Sequence, residues 1–147
     1  MKVLFLCTGN YYRSRFAEAI FNYYAEREGI AARAFSRGVA AYLVKDFPDR
    51  ISPDTVAALR ARGIPLTCTA TYPQQVSNTD LATAQHIVAL KRDEHYAMLR
   101  WLHPGWEDRV EYWDIHDTDD APPETQLPRV QEAVFALLDV CRVAFRR

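Results

Sequence analysis

Residues 2–14 read KVLFLCTGNYYRS, an apolar run followed by a turn that contains Gly9. The run Lys2–Cys7 has no charge in its interior and is rich in β-branched or aromatic types, which is typical of a strand buried on both faces. Over residues 14–28 the apolar positions recur at helical spacing, and Gly29 is placed to end the helix. A strand, a turn and a helix in this order are the opening unit of an α/β fold.

The remainder of the chain continues the alternation of strands and helices. Short apolar or β-type runs predict strands over 32–36, 86–90 and 110–113. Periodicity and caps predict helices over 53–62, 78–84 and 93–102, and a last helix that begins at Pro128. The last helix carries one apolar stripe, formed by Val130, Val134, Leu137, Leu138, Cys141 and Phe145. We therefore predict a single-domain α/β protein with a four-stranded parallel sheet, helices on both faces and a ligand site at the carboxyl ends of the strands.

Size, charge and cysteine content limit the classes of function. The chain has 147 residues, 49% of them hydrophobic, and a formal net charge of −1, which fits one domain spanning residues 1–147. A near-neutral chain gives no global electrostatic reason to bind nucleic acid or an anionic membrane. Neither a membrane-span run nor a signal-peptide pattern is found, so we expect a cytoplasmic protein. Its three cysteines are too few and too scattered for a disulfide framework or a zinc site.

Cys7 lies where the first strand meets the first helix, and this position has chemical consequences. A helix N-terminus presents unpaired N–H groups and the positive end of the helix dipole, so a turn there can cradle an anion. A thiol in such a cradle is stabilised as the thiolate, the nucleophilic form. Arg13 can grip two oxygens of an oxyanion, and Ser14 can donate a hydrogen bond to the sulfur. Gly9 is expected to supply the conformational freedom of a tight loop.

The same stretch resembles the low-molecular-weight protein tyrosine phosphatase family, in which an apolar strand precedes the pattern Cys-x-Gly-Asn-x-Cys-Arg-Ser and a helix. The likeness extends over most of the chain. Ser36, Arg37 and Gly38 stand where the family has Ser-Ala-Gly, and residues 57–64 and 86–95 resemble later family segments. The resemblance implies a four-stranded parallel sheet with the phosphate-binding loop at the end of the first strand. It also implies a cysteine-dependent hydrolase of phosphomonoesters, acting on phosphotyrosine-like substrates.

The resemblance also implies roles for individual residues. Cys7 attacks phosphorus and carries a phosphocysteine intermediate, and Ser14 activates its thiolate. Asn10 and Ser36 keep the loop in its shape. The phosphoryl oxygens are held by the loop, formed by Thr8, Gly9, Asn10, Tyr11, Tyr12, Arg13 and Ser14. The partner is then a phosphorylated protein or a small phosphomonoester, and the reaction requires no metal or other cofactor.

The general acid is not marked by the family's usual motif, because the Asp-Pro pair before the last helix is missing here. The candidates are Asp114, Asp117, Asp119 and Asp120. We favour Asp117, since residues 113–117 align best with the family stretch that leads to the acid. Thr118 stands in place of the proline.

Two loop positions depart from the family pattern. Tyr12 replaces the second cysteine, the thiol that would trap an oxidised Cys7 as a reversible disulfide. Tyr11 is an aromatic wall that suits a flat phenyl ester or narrows the mouth of the site. Two other functions stay open: thiol-coupled arsenate reduction, which needs two further relay cysteines, and non-catalytic phosphate binding on the same loop. The physiological substrate, the acceptance of phosphoarginine and the oligomeric state are not decided by the sequence.

Overall fold

Four strands and five α-helices alternate along residues 1–144, the part of the chain that the computed structural model describes. The strands are β1 (Lys2–Cys7), β2 (Arg33–Gly38), β3 (His86–Ala89) and β4 (Glu111–Tyr112). The helices are α1 (Arg13–Arg27), α2 (Pro53–Ala61), α3 (Asn78–Thr83), α4 (Arg92–Leu102) and α5 (Pro123–Ala144). Within these residues no helix combines the length and the apolar character needed to cross a membrane.

The strands form one parallel sheet in the order β2-β1-β3-β4, as predicted. β1 lies in the interior of this sheet. It pairs with β2 along its whole length, ending at the pair Cys7↔Gly38, and with β3 over its central residues. From Val3 to Cys7 every residue of β1 is buried, because both faces of a central parallel strand are covered.

Helices cover both faces of the sheet. Phe5 and its odd-numbered neighbours in β1 pack into a core cluster with α1 and α5. Leu4 and Leu6 point to the opposite face and pack with Leu81 of α3 and Leu99 of α4, since successive strand side chains alternate. Truncating a fully buried phenylalanine such as Phe5 to alanine costs roughly 3–5 kcal/mol. The strand that leads into the predicted loop is therefore firmly fixed.

The last helix differs most from its predicted bounds. α5 begins at Pro123, and Pro128, the predicted first residue, lies inside the helix. Pro123 takes the first position, where the missing N–H has no helical partner to lose. Gln126 and Leu127 are buried in the first turns, and Gln126 accepts a hydrogen bond from the backbone N–H of His116 at 2.8 Å. The preference of proline for the first position of a helix predicted a start at Pro128, but the helix begins five residues earlier, where Gln126 contacts His116.

The other elements confirm the predicted order with shifted ends. β4 covers only Glu111–Tyr112 of the predicted residues 110–113, and β2 continues past residue 36 to Gly38. Ser52 caps α2, accepting a hydrogen bond from the N–H of Asp54 at 3.2 Å. Five members of the predicted α5 stripe are buried, and Phe145 lies outside the described residues.

Gly38, the last residue of β2, is where the sheet meets the turn after β1. A Cβ at this position would lie 2.7 Å from the carbonyl oxygen of Thr8 and 3.0 Å from the backbone nitrogen of Asn10. Both atoms belong to backbone, and the Thr8 carbonyl is also held by the N–H of Ala40 at 2.8 Å. The turn can therefore pass this closely over β2 only because residue 38 has no side chain.

We expect the substitution Gly38→Ala to displace the turn and to lower the stability of the fold by about 1–3 kcal/mol, the usual range for overpacking. Phosphate binding should weaken together with stability, because the displaced backbone is the one that lines the predicted site. Urea unfolding and calorimetric titration with inorganic phosphate measure the two effects.

The control is Gly9→Ala, whose added Cβ would meet the end of the Val44 side chain at 2.8 Å. A side-chain end moves more easily than backbone, so this variant should lose less stability than Gly38→Ala. The opposite ranking would contradict the role of the Gly38 contact.

Candidate functional site

The β1–α1 loop (residues 7–14) turns carbonyl groups outward. The carbonyl oxygen of Thr8 accepts from Ala40 N–H at 2.8 Å, and that of Tyr11 accepts from Ser52 N–H at 2.9 Å. Peptide bonds throughout residues 1–144 are trans, and in a trans peptide the C=O and the next N–H point in opposite directions. The following N–H groups therefore point into the loop. Together with the free N–H groups of the first turn of α1 they form an anion cradle.

The sharp turn of the β1–α1 loop is made by Asn10, not by the glycine beside it. Asn10 has a φ of 54°, the one positive value at a non-glycine residue within residues 1–144. Asparagine tolerates this left-handed region better than most residues. The expectation that Gly9 supplies the conformational freedom is wrong, since its φ is not in that region. Gly9 instead provides space beside Val44.

A chain of hydrogen bonds leads from the sulfur of Cys7 into the core. Cys7 Sγ lies 2.9 Å from Ser14 Oγ. Asn10 Nδ2 donates to Ser14 Oγ and to Ser36 Oγ, both at 2.9 Å, and the Ser36 hydroxyl donates to Glu18 Oε1 at 2.7 Å. Either atom can be the donor in this contact, and once the sulfur is a thiolate it can only accept from the Ser14 hydroxyl. The predicted neighbours Cys7, Asn10, Ser14 and Ser36 are thus brought together.

Two residues that orient this chain were not identified from the sequence. The backbone N–H of Gln74 donates to Asn10 Oδ1 at 2.9 Å and so fixes which side of the amide faces Ser14. Glu18 is buried and accepts the hydrogen bond that the Ser36 hydroxyl donates. Glu18 follows Ser14 by one helical turn and lies on the same face of α1. This spacing in the sequence could have indicated that Glu18 lies near the loop. Gln74 acts through its backbone, which leaves no side-chain signal.

Arg13 is the first residue of α1, and its side chain is only 2% exposed. Its Nη1 donates to the carbonyl oxygen of Ile115 at 3.0 Å and to Glu94 Oε1 at 3.3 Å. Its Nη2 donates to Glu94 Oε2 at 2.7 Å and to Asp117 Oδ2 at 3.3 Å. A buried guanidinium needs such partners. Arg13 therefore connects α1, the start of α4 and the segment that carries the favoured acid.

Glu94 and His95, at the start of α4, also belong to the site and were missed. Glu94 accepts a hydrogen bond from the Thr8 hydroxyl, whose oxygen also lies 3.1 Å from His95 Nε2. Glu94 Oε2 is itself 3.0 Å from His95 Nε2. Burial alone would raise the pKa of Glu94, but hydrogen bonds from His95 and Arg13 and the charge of Arg13 hold it well below its usual range. Their position in the sequence could have identified them, because α4 begins just after the carboxyl end of β3. Ligand sites of parallel sheets lie at the carboxyl ends of the strands.

A cavity of about 370 Å³ opens on the β1–α1 loop. Its apolar part includes Leu43, Val44 and Phe47, and the rings of Tyr11 and Phe47 pack edge to face with centroids 5.1 Å apart. The predicted loop residues that line it are Cys7, Thr8, Gly9, Tyr11, Tyr12 and Arg13. Asn10 and Ser14 are fully buried instead.

Of the four acid candidates, the structure brings Asp117 to the cavity. Asp114, Asp119 and Asp120 are exposed and are absent from the lining within the described chain. Thr118 N–H donates to Asp117 Oδ1 at 2.8 Å, a contact that a proline at position 118 could not make. Because residue 118 is threonine and not proline, its backbone N–H can hold one carboxylate oxygen of Asp117 in place.

Tyr12 lines the same cavity as Cys7, whereas Cys68 and Cys141 are not among its described lining residues. Tyr12 is 5% exposed, and its hydroxyl has no hydrogen-bond partner among residues 1–144. Burial raises the pKa of the Tyr12 phenol, which therefore stays protonated. All three cysteines are unpaired in the described structure. Burial also raises the pKa of the Cys68 and Cys141 thiols, so neither is a ready thiolate.

The structure is an α/β fold that places a thiol, a buried arginine and a carboxylate around the loop at the end of its first strand. Across residues 1–144 no group of three or more His, Cys, Asp or Glu side chains is placed to hold a metal ion. The sequence model of the low molecular weight phosphotyrosine protein phosphatase family matches residues 2–127. The chain belongs to this family, and it is a phosphatase of the low-molecular-weight type, as the resemblance implied.

Solved structures agree with this assignment. YfkJ from Bacillus subtilis is 24% identical with a TM-score of 0.82, over 98% of this chain and 96% of that one. The low molecular weight protein tyrosine phosphatase from T. tengcongensis is 28% identical with a TM-score of 0.73, over 95% of both chains. A YwlE arginine phosphatase variant with a phosphorylated active-site serine is 24% identical with a TM-score of 0.72, over 94% and 91%. The comparison with curated protein sequences gives no match.

We expect mild peroxide to inactivate the protein in a way that dithiothreitol does not reverse. An oxidised Cys7 has Tyr12 beside it in place of a thiol, so the sulfenic acid proceeds to the sulfinic acid instead of forming a disulfide. The variant Tyr12→Cys should restore recovery of phosphatase activity on reduction, whereas Cys68→Ser should behave as the unmodified protein. Intact mass spectrometry distinguishes the products, and a disulfide joining Cys7 to Cys68 or Cys141 would contradict this expectation.

Proposed function

We propose that this protein hydrolyses phosphotyrosine-like aryl phosphates through a phosphocysteine intermediate on Cys7. The observation that carries the proposal is the contact of 2.9 Å between Cys7 Sγ and Ser14 Oγ inside the amide ring of the β1–α1 loop. A hydrogen bond donated to the sulfur stabilises the thiolate, and the amide ring stabilises the phosphoryl group that the thiolate attacks.

In the first step the Cys7 thiolate attacks phosphorus. The S–P bond forms while the bond between phosphorus and the ester oxygen breaks. Arg13 and the loop amides hold the phosphoryl oxygens, and protonated Asp117 gives its proton to the departing oxygen. Asp117 contacts Arg13 Nη2 at 3.3 Å, so a phosphoryl oxygen that takes this N–H also releases Asp117 toward the leaving group.

In the second step water attacks the phosphocysteine. Asp117, now a carboxylate, accepts a proton from the water as the new P–O bond forms. The S–P bond breaks, the thiolate returns to the hydrogen bond from Ser14, and inorganic phosphate leaves. The YwlE variant described above carries phosphate on its active-site serine, which supports a covalent step at the corresponding position of this chain.

The wall of the cavity favours an aromatic leaving group. Tyr11 and Phe47 present an apolar slot beside the loop, and a phenyl ring packs well against such rings. One relative is named an arginine phosphatase, and Asp54 and Asp117 bring carboxylates to the same cavity. We favour the aryl phosphate because the apolar side chains are the larger share of the wall. The substrate is then a phosphorylated protein or a small phosphomonoester.

We also propose that the whole of residues 1–147 acts as one phosphatase domain in the cytoplasm. The core cluster on one face of the sheet joins β1 and α1 to α5, and the cluster on the other face joins β1 to α3 and α4. Unpaired cysteines, one of them the proposed nucleophile, suit a reducing compartment.

Two variants test the mechanism. Cys7→Ser should lower kcat on p-nitrophenyl phosphate by ~10³-fold or more while leaving phosphate binding detectable, because the amide ring and Arg13 stay in place. Asp117→Asn should slow phenyl phosphate by roughly 10²–10³-fold and the activated nitrophenyl ester far less, since a good leaving group hardly needs an acid.

Asp114→Asn is the matched control for the acid, because Asp114 is exposed and Asp117 lines the cavity. If Asp114→Asn showed the leaving-group dependence and Asp117→Asn did not, the acid would be reassigned. Phosphate binding without any ester turnover by the unmodified protein would favour a non-catalytic binding module. Arsenate reduction without ester turnover would favour the arsenate reductase.

A further variant tests the substrate class. Phe47→Ala removes one face of the aromatic slot and should lower kcat/KM for a phosphotyrosine peptide by about 10-fold, a change of about 1.4 kcal/mol. Inhibition by inorganic phosphate should stay unchanged, because phosphate does not reach the slot. The control Tyr42→Ala alters an exposed ring that is not among the described lining residues. Faster turnover of phosphoarginine than of phosphotyrosine would refute the aryl assignment.

A further inference from the structure

We propose that Glu94 is a positioning residue for Arg13, fixing the guanidinium in the plane that receives the phosphoryl oxygens. This inference rests on the proposed function, since Arg13 is the residue whose donors meet the substrate. Glu94 lies at the start of α4, far from the β1–α1 loop in sequence, and it contacts both Thr8 near the start of the loop and Arg13 at its end.

The donors of Arg13 show how strongly Glu94 constrains it. The two bonds from Nη1 and Nη2 to the Glu94 carboxylate, at 3.3 and 2.7 Å, form a two-pronged contact that fixes the guanidinium plane. The Ile115 carbonyl takes the second proton of Nη1 at 3.0 Å. Within residues 1–144, Nε–H makes no hydrogen bond, and the remaining Nη2 proton is held by Asp117 at 3.3 Å. These two donors are the ones left for an anion.

Asp117 does not hold Arg13 in the same way. Its contact is single, at 3.3 Å, and its side chain is 38% exposed, against 26% for Glu94. A longer and more exposed contact is weaker and more easily exchanged. The bound phosphoryl group therefore replaces Asp117 at Nη2, whereas the contact with Glu94 stays.

Only a carboxylate can accept all the hydrogen bonds that are donated to the side chain at position 94. Oε1 accepts from Arg13 Nη1, Oε2 accepts from Arg13 Nη2 and from the Thr8 hydroxyl, and His95 Nε2 lies 3.0 Å from Oε2. Every group that faces these oxygens is a donor. A glutamine would place its NH₂ group against one of these donors and leave it without an acceptor.

His95 gives Glu94 its fixed orientation. The N–H of Lys91 donates to His95 Nδ1 at 3.1 Å, so the ring proton lies on Nε2, which is 3.1 Å from Thr8 Oγ1 and 3.0 Å from Glu94 Oε2. His95 is fully buried, and burial lowers its pKa below the usual value, which keeps the ring neutral in this tautomer. The backbone just before α4 thus fixes the His95 ring, His95 and the Thr8 hydroxyl hold Glu94 Oε2, and Glu94 orients Arg13.

The test is a double-mutant cycle on oxyanion binding. Glu94→Gln should weaken binding of inorganic phosphate and vanadate by roughly 10- to 100-fold, and in an Arg13→Lys background it should weaken binding further by less than about 3-fold. The reason is that lysine lacks the planar fork whose orientation Glu94 sets. Calorimetric titration measures binding, and kcat and KM on p-nitrophenyl phosphate are measured on the same four proteins.

The matched control is Asp93→Asn, which removes the same charge from the neighbouring position in the first turn of α4, where Asp93 is exposed. We expect oxyanion binding of this variant to stay within about 2-fold of the unmodified protein. If Glu94→Gln fails to fold by urea unfolding, Glu94→Asp takes its place, because it keeps the charge but is too short to make both contacts.

Equal losses from Glu94→Gln in the unmodified and the Arg13→Lys backgrounds would overturn the proposal, since they would mean that Glu94 acts on the fold as a whole. Unchanged phosphate binding in Glu94→Gln would overturn it as well. A failure of the proposed function looks different, because the unmodified protein would then bind phosphate, with the coupling between Glu94 and Arg13 intact, but would not turn over aryl phosphates.

Discussion

Backbone amides converging at the N-terminus of α1 are the constraint on which the rest of the structure depends. Outward hydrogen bonds from neighbouring segments hold the carbonyls of Thr8 and Tyr11, and these bonds turn the N–H groups inward. Such a ring is held open only if β1, β2 and the segment before α2 keep their relative positions. The buried central strand and the close passage over Gly38 provide this rigidity.

The charged side chains around the loop are arranged so that none is buried without partners. Arg13 and Arg15 are both almost completely buried, yet both are surrounded by acceptors. Arg15 donates to Thr69 Oγ1 at 2.7 Å and to the carbonyl of Arg50 at 3.0 Å. The buried network of acceptors keeps both guanidinium groups fixed in direction.

Local rules predicted most of the fold. The apolar run of β1 and the cap before α2 depend on neighbours in sequence, and the structure agrees with both. The start of α5 at Pro123 was not predicted, because the contact between Gln126 and His116 that extends the helix has no sequence pattern. The prediction that Gly9 supplies conformational freedom was wrong, because the absence of its side chain matters for the space beside Val44. That contact depends on the tertiary structure and has no signal in the neighbouring sequence.

The sequence by itself determined the α/β class, the loop after the first strand and the types of group that we propose for oxyanion binding there. These follow from periodicity and from residues at most a few positions apart. Only the tertiary structure decided that Asp117, among four acidic candidates, reaches the cavity, and that Glu94 holds Arg13. The physical reason is distance along the chain: contacts between residues more than eighty positions apart depend on how α4 and the segment after β4 pack at the carboxyl edge of the sheet.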